Sequence, residues 1–165
     1  MYASVFNITL SFAFALVLHE MGHFLAARAC RVQVTQAGLG WGPKVFGFRI
    51  KGVDYQLRLL PLGAYIRMDM AGLQKRSLFQ QLSVLLAGIA VNLILAAVTW
   101  GSFFGTLNLV LAIGNLLPLY QQDGWKSGMV IFRRVFKRAS PLVEWSFTLS
   151  PGLVGLILMT RAFFA

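Results

Sequence analysis

Two histidines, one cysteine and five acids are all that the 165-residue chain holds of the side chains that most often bind metals or move protons. The lone Cys30 excludes an internal disulfide and has no partner for a thiolate metal site, so it reads as a buried, inert thiol. Charge is equally scarce. Charged residues make up 12% of the chain, where about 25% is usual in soluble domains, and 58% of it is hydrophobic. With a mean hydropathy of +0.70, this composition excludes an ordinary soluble domain. No repeat, no low-complexity tract and no polar stretch long enough for a separate soluble domain is present. Residues 1–165 read as a single membrane-embedded unit, an α-helical integral membrane protein.

A membrane span needs about 20 mostly apolar residues, and four segments qualify as candidates: Tyr2 to Ala27, Leu78 to Trp100, Phe103 to Leu119 and Leu142 to Phe164. The third is short and polar at its end. The first lacks the basic leading segment of a cleaved signal peptide and carries ionisable groups inside its apolar body, so it is expected to stay in the mature protein.

A net charge of +10 in a soluble chain would suggest nucleic acid, but the positions of the charges say otherwise. Nine of the fifteen basic residues lie between the first and second segments, and five (Lys126, Arg133, Arg134, Lys137 and Arg138) between the third and fourth, leaving only Arg161. This is the positive-inside pattern. It predicts a multi-pass protein with both basic loops on the cytoplasmic side and touching anionic lipid headgroups. The N-terminus, the turn near Gly101 to Gly105 and the C-terminus then lie outside, and no nucleic-acid partner is expected.

Between the first two spans, "VFGFRIKGVDYQLRLLPLG" alternates apolar and polar residues with a break at Lys51-Gly52. Period two with a glycine turn predicts a membrane-associated β-hairpin, preceded by "GLGWGP" and ended by Pro61 and Gly63. A strand edge at membrane depth is tolerated only where it lines a protein or water-filled cavity, so the hairpin should sit beside whatever the spans enclose.

Both histidines fall in one stretch of the first span, "LVLHEMGHFLA". On a helix, residues four apart share a face, so His19 and His23 can point at one ion while Glu20 reaches that ion's water. An ionisable residue at the centre of a span costs about 2.5 to 3.5 kcal/mol on insertion scales, and such residues usually mark function. Catalytic zinc takes three protein ligands and a water. Of the remaining acids, Asp54 is in the hairpin, Asp69 follows it and Glu144 begins the fourth segment among basic neighbours. Asp123, at the end of the third segment, is therefore the expected third ligand of a single Zn2+.

His19-Glu20-Met21-Gly22-His23, with Asn115-Leu116-Leu117-Pro118 followed by Asp123-Gly124, resembles the paired motifs of the site-2 proteases, which are intramembrane zinc metalloproteases. "GWGPKVF", "DYQLRLLPLGAYIRM" and "SLFQQLSVLLAGIAVNLILA" are similar in order and spacing to the bacterial regulated-intramembrane-proteolysis branch, through about Val130. The chain departs from that pattern in three places. Where members read P-x-P-x-L-D-G-G it has Pro118 to Trp125 without the second proline and the last glycine, and Gly88-Ile89 and Gly63-Ala64 stand where Gly-Pro and Gly-Gly are common. These changes are expected to lie away from the zinc-binding side chains. Many relatives also place PDZ domains between the second and third core spans, where this chain has only the turn at Gly101 to Gly105.

The resemblance implies a bacterial-type inner-membrane enzyme that hydrolyses a peptide bond within or near a transmembrane segment of a membrane-protein substrate, with Glu20 as general base. Because a helical substrate must unwind to be cut, an extended stretch of it can add to the hairpin edge at Val53, Tyr55 and Leu57. Asn92 and Asn115 are candidates for holding that substrate or the developing oxyanion. One competing reading is a non-catalytic metal-binding membrane protein that holds a partner's span, which leaves Glu20 without a use. The other is a metal transporter, which requires further acids or histidines along a path.

Overall fold

The computed structural model describes residues 2–119, 121–136 and 149. The fourth candidate span, with Glu144 and Arg161, lies outside the described residues apart from Leu149.

Helix α1 (Tyr2–Ala29) contains no proline and a single glycine, Gly22. Its 28 residues extend about 42 Å at 1.5 Å each, enough to cross a hydrocarbon layer of about 30 Å. It closes where Arg31 turns into the left-handed region at φ 56° and the Val32 N–H returns to the Ala27 carbonyl at 2.8 Å. Phe6, Leu10, Phe14 and Leu25 stand exposed along it. A core helix of a soluble protein would bury such residues, so these faces require an apolar surround.

Strands β1 (Val34–Ile50) and β2 (Val53–Met68) follow. The turn falls at Lys51-Gly52, both at positive φ (49° and 83°), as a two-residue primed turn demands. The strands are longer than the alternation in the sequence indicates, and they bend. Gly40 and Gly42 kink β1, each at φ 90°, and the register doubles back. Residues Gln36 to Leu39 lie opposite Arg67 to Ala64 on one side and opposite Asp54 to Leu57 on the other, while Phe46 to Ile50 pair with Leu57 to Val53. The stretch Asp54 to Leu57 is thus paired on both sides. The free edges belong to Ala64–Met68 and to Phe46–Ile50. Arg58 ties the folded sheet together, donating to the Tyr65 hydroxyl (3.0 Å), the Gly42 carbonyl (2.9 Å) and the Gln56 side-chain oxygen (3.2 Å). Near the turn, the amide of Gln56 and then the ammonium of Lys44 hold the Asp54 carboxyl below its usual range.

A short helix, α2 (Met70–Gln74), leads into α3 (Leu78–Val98). Ser77 and Gln80 form a reciprocal capping box at the start of α3, satisfying two backbone donors that the helix cannot. Its 21 residues extend about 31 Å, and Leu93, Ile94 and Val98 are exposed. Gly101, at φ 81°, turns the chain into α4 (Phe103–Leu116), where Ser102 accepts the Gly105 N–H at 3.0 Å. This helix ends earlier than the expected third span. Pro118 forces Leu117 out of the helical region, to ψ 142°, and 14 residues reach only about 21 Å. The segment read as a basic connector contains a helix, α5 (Asp123–Val135).

The two long apolar helices match the first two expected spans; the third expected span is a shorter helix. Among the described residues the buried apolar cluster joins Ala27 of α1, Val32, Val34, Val53, Leu73, and Val84 and Leu85 of α3. It fastens both the base of the hairpin (Val34) and its folded-back turn end (Val53), with the end of α1, to the start of α3, so the sheet lies along α1 beside the histidines.

Candidate metal centre

His19 and His23 fall on the face of α1 that packs against α3. Gly22 allows the approach, since a Cβ there would lie 2.8 Å from the Ala87 carbonyl oxygen. Gly88 does more. A Cβ at this position would fall on His23 Nε2, His19 Cε1 and His19 Nε2, so only glycine leaves the imidazoles room. Gly88, which the chain shares with the family pattern, is thus pressed against the ligands, next to the departure at Ile89.

The third side chain arrives from α5. Asp123 is its first residue, where a carboxylate is favoured by the unpaired N–H groups of the first turn. Gly124 lets the chain come close enough, because a Cβ on it would overlap the Leu116 carbonyl at the end of α4. Gln121 takes φ 76°, a left-handed conformation that costs a non-glycine residue roughly 1–2 kcal/mol. Despite the missing proline and glycine, the carboxylate reaches both rings. Asp123 Oδ2 lies 3.1 Å from His19 Nε2 and 3.0 Å from His23 Nε2, and the two Nε2 atoms are 3.1 Å apart. All three residues are buried, at 4%, 5% and 6% exposure for His19, His23 and Asp123.

This triangle fits a metal ion. Ligand atoms about 2.0 Å from a tetrahedral centre stand about 3.3 Å from one another, close to the spacing found. The protonation pattern agrees. His23 Nδ1 donates to the Val84 carbonyl at 2.8 Å, which leaves its Nε2 lone pair free to coordinate. Two ring nitrogens and a carboxylate oxygen converging in a buried site form a donor set that suits a cation between them. Lys126 donates to the other oxygen, Oδ1, at 3.2 Å, orienting the carboxylate.

Glu20 follows His19 directly on α1 and reaches toward the sheet. Its Oε2 accepts the Ile66 N–H at 3.2 Å, so the outer edge of Ala64–Met68 is the sheet edge that meets α1. Between them opens an apolar cleft of about 590 Å³, lined by Val17, Glu20, Phe24, Leu39, Tyr65 and Ile66 among others. Tyr55 and Leu57 also line it, whereas Val53 is buried in the core cluster.

Asn92 lies four residues beyond Gly88, on the same face of α3, fully buried, with neither amide atom hydrogen-bonded among the described residues. Asn115 is half-buried, and its amide donates to the Leu111 carbonyl of its own helix at 3.0 Å. Sequence reasoning missed the Val84 carbonyl, Lys126 and Ile66. The first and last act through the main chain, which leaves no mark in the residue type, while Lys126 carries a readable signal in its i,i+3 spacing from Asp123.

Comparison with known proteins finds zinc metalloproteases. A Clostridium acetobutylicum protein named "Putative zinc metalloprotease" is 38% identical over 106 residues, covering 58% of this chain and 31% of its own. One of the same name from Helicobacter pylori is 33% identical over 128 residues, 67% of this chain and 34% of its own. "Zinc metalloprotease RasP" of Geobacillus kaustophilus is 37% identical over 65 residues, 39% of this chain and 15% of its own. The chain therefore spans about a third or less of the length of these curated relatives. Residues 7–105, which carry the histidine pair, Glu20, the sheet and Gly88, match a single family throughout, and the chain belongs to peptidase family M50.

Proposed function

We propose that this chain is the membrane-embedded catalytic unit of a zinc metalloprotease that hydrolyses a peptide bond within or near a transmembrane segment of a membrane-protein substrate. The observation that carries the reading is the buried triangle of His19, His23 and Asp123 with Glu20 beside it on the same helix. A purely structural site has no use for that glutamate.

Zinc, when bound, lowers the pKa of its water to about 7 and polarises a carbonyl. His19, His23 and Asp123 hold the ion in this reading, and the Val84 carbonyl fixes the ring of His23. Glu20 accepts a proton from the attacking water and passes it to the leaving amine. The N–H of Ile66 keeps the carboxylate oriented between turnovers.

A substrate span has to unwind before its peptide bonds are accessible. The edge of Ala64–Met68 is the one that faces Glu20, which makes it a better docking strand than Val53 to Leu59, whose Asp54 to Leu57 part already pairs on both sides. Main-chain hydrogen bonds to that edge replace those lost from the helix, and the apolar cleft accepts the side chains of a span. Tyr55 and Leu57 then act as cleft wall rather than as pairing partners. The orphaned amide of Asn92 suits an oxyanion or substrate carbonyl, because a buried polar group without a partner costs about 1–3 kcal/mol until it finds one. Asn115 takes a supporting substrate contact. In this assignment the hairpin is membrane-associated, its turn and α5 face the cytoplasm, and the N-terminus lies outside.

The test is metal analysis of purified protein and its Glu20→Gln variant, with cleavage of a model transmembrane substrate by both. Stoichiometric zinc in both, with cleavage only by the parent, is the expected result. Full activity in the variant removes the mechanism.

A further inference from the structure

A second cavity, of about 540 Å³, opens between the α2–α3 connection and α5, within the range of roughly 300–1,000 Å³ typical of small-ligand sites. Five basic side chains line it, Lys75, Arg76, Lys126, Arg133 and Arg134, and no acidic one does. Leu78, Leu85 and Met129 complete its apolar wall. Converging like charges repel one another unless an anion joins them.

Only part of this charge is used within the protein. Arg76 donates to the Arg31 carbonyl at 2.6 Å and Lys126 to Asp123, whereas Lys75 and Arg134 are exposed and make no side-chain hydrogen bond among the described residues. The location narrows the ligand. Leu78 begins a 21-residue apolar helix, so in the proposed membrane placement the cavity lies at the level where a span meets the headgroup layer, with both apolar and cationic walls. Basic pockets at that level suit lipid phosphates.

We propose that this cavity binds the phosphate headgroup of an anionic phospholipid. The reading is independent of the cleavage reaction. It has a bearing on the metal centre all the same, since the bound lipid anchors α5, the helix that carries Asp123.

The test titrates the full chain, in detergent, with short-chain phosphatidylglycerol, phosphatidylcholine and inorganic phosphate, counting bound lipid by native mass spectrometry. Three proteins are compared: the parent, a Lys75→Gln/Arg134→Gln variant, and an Arg49→Gln/Lys51→Gln variant that removes equal charge from the hairpin. Saturable binding of phosphatidylglycerol is expected in the parent and the hairpin variant. The cavity variant should bind it about thirtyfold more weakly, equivalent to about 1 kcal/mol for each basic group removed. Both variants change exposed residues, and retained zinc reports that each is folded. Equal loss in the two variants would mean diffuse surface attraction and overturn the site. Binding of phosphatidylcholine as tight as phosphatidylglycerol would also overturn it, as would inorganic phosphate competing with the lipid at equal affinity.

Discussion

Gly88 of α3 lies so close to His23 of α1 that a single methyl group between them would overlap the ring nitrogen. The contact makes a residue without chemistry of its own a determinant of the metal centre. Gly88→Ala should push the imidazoles out of their triangle and weaken zinc binding by about 10- to 100-fold, the range seen when the supports of metal ligands are changed. Gly114→Ala, on α4 where a Cβ meets nothing within 4 Å, is the control and should bind zinc as the parent does. Equal affinities for all three proteins, measured by competition with a chelator, would contradict the packing described.

Asp123→Ala should abolish stoichiometric zinc, because two histidines alone do not complete a catalytic site. Lys126→Gln should have a smaller effect, about tenfold in affinity, since it removes a hydrogen bond to the ligand rather than the ligand. Metal analysis after dialysis separates the two. If Asp123→Ala keeps a full complement of zinc, Asp123 is not the third ligand.

Proline substitutions distinguish the two strands of the sheet. At Tyr55, paired on both sides, proline should prevent the sheet from forming and reduce expression. At Ile66 it removes one outward N–H donor, the partner of Glu20. That hydrogen bond to a charged group is worth roughly 1.5–3 kcal/mol, so cleavage should fall tenfold or more while zinc is retained. Parent-rate cleavage by Ile66→Pro would exclude the Ala64–Met68 edge from substrate docking.

Orientation is tested separately. In a Cys30→Ser background, cysteines at Lys51 and Arg134 should resist an impermeant thiol reagent on intact cells and react once the cells are opened. Labelling of either from outside would reverse the topology.

What the sequence revealed and what it concealed divides along physical lines. His19, Glu20 and His23 were legible because helix periodicity alone brings them together, and the hairpin turn because Lys51-Gly52 interrupts an alternating run. Asp123 could be found by elimination among so few acids. The doubled-over sheet could not, since alternation reports which face a residue takes but not which distant segment it pairs with. Gly88 was hidden for a related reason: its role is an absence of atoms opposite a helix more than sixty residues earlier in the chain. The early end of α4 was written in Pro118 all along, but the apolar run extending to Leu119 obscured it.

The short reach of α4 carries one more consequence. His23 and His19 lie six and ten residues before the end of α1, and Val84 and Gly88 six and ten residues after the start of α3, which sets the ligands about 9 to 15 Å below that end of both helices. In the proposed topology α4 starts from the opposite side, covers about 21 Å of a layer about 30 Å thick and stops about 9 Å short. Three separate lengths of chain therefore converge on one depth. There the backbone leaves the helix and the polar residues Gln121, Gln122 and Asp123 follow, a stretch suited to contact with water. Hydrolysis consumes one molecule of water for every bond broken, and under the proposed function the truncated helix is where that water would enter.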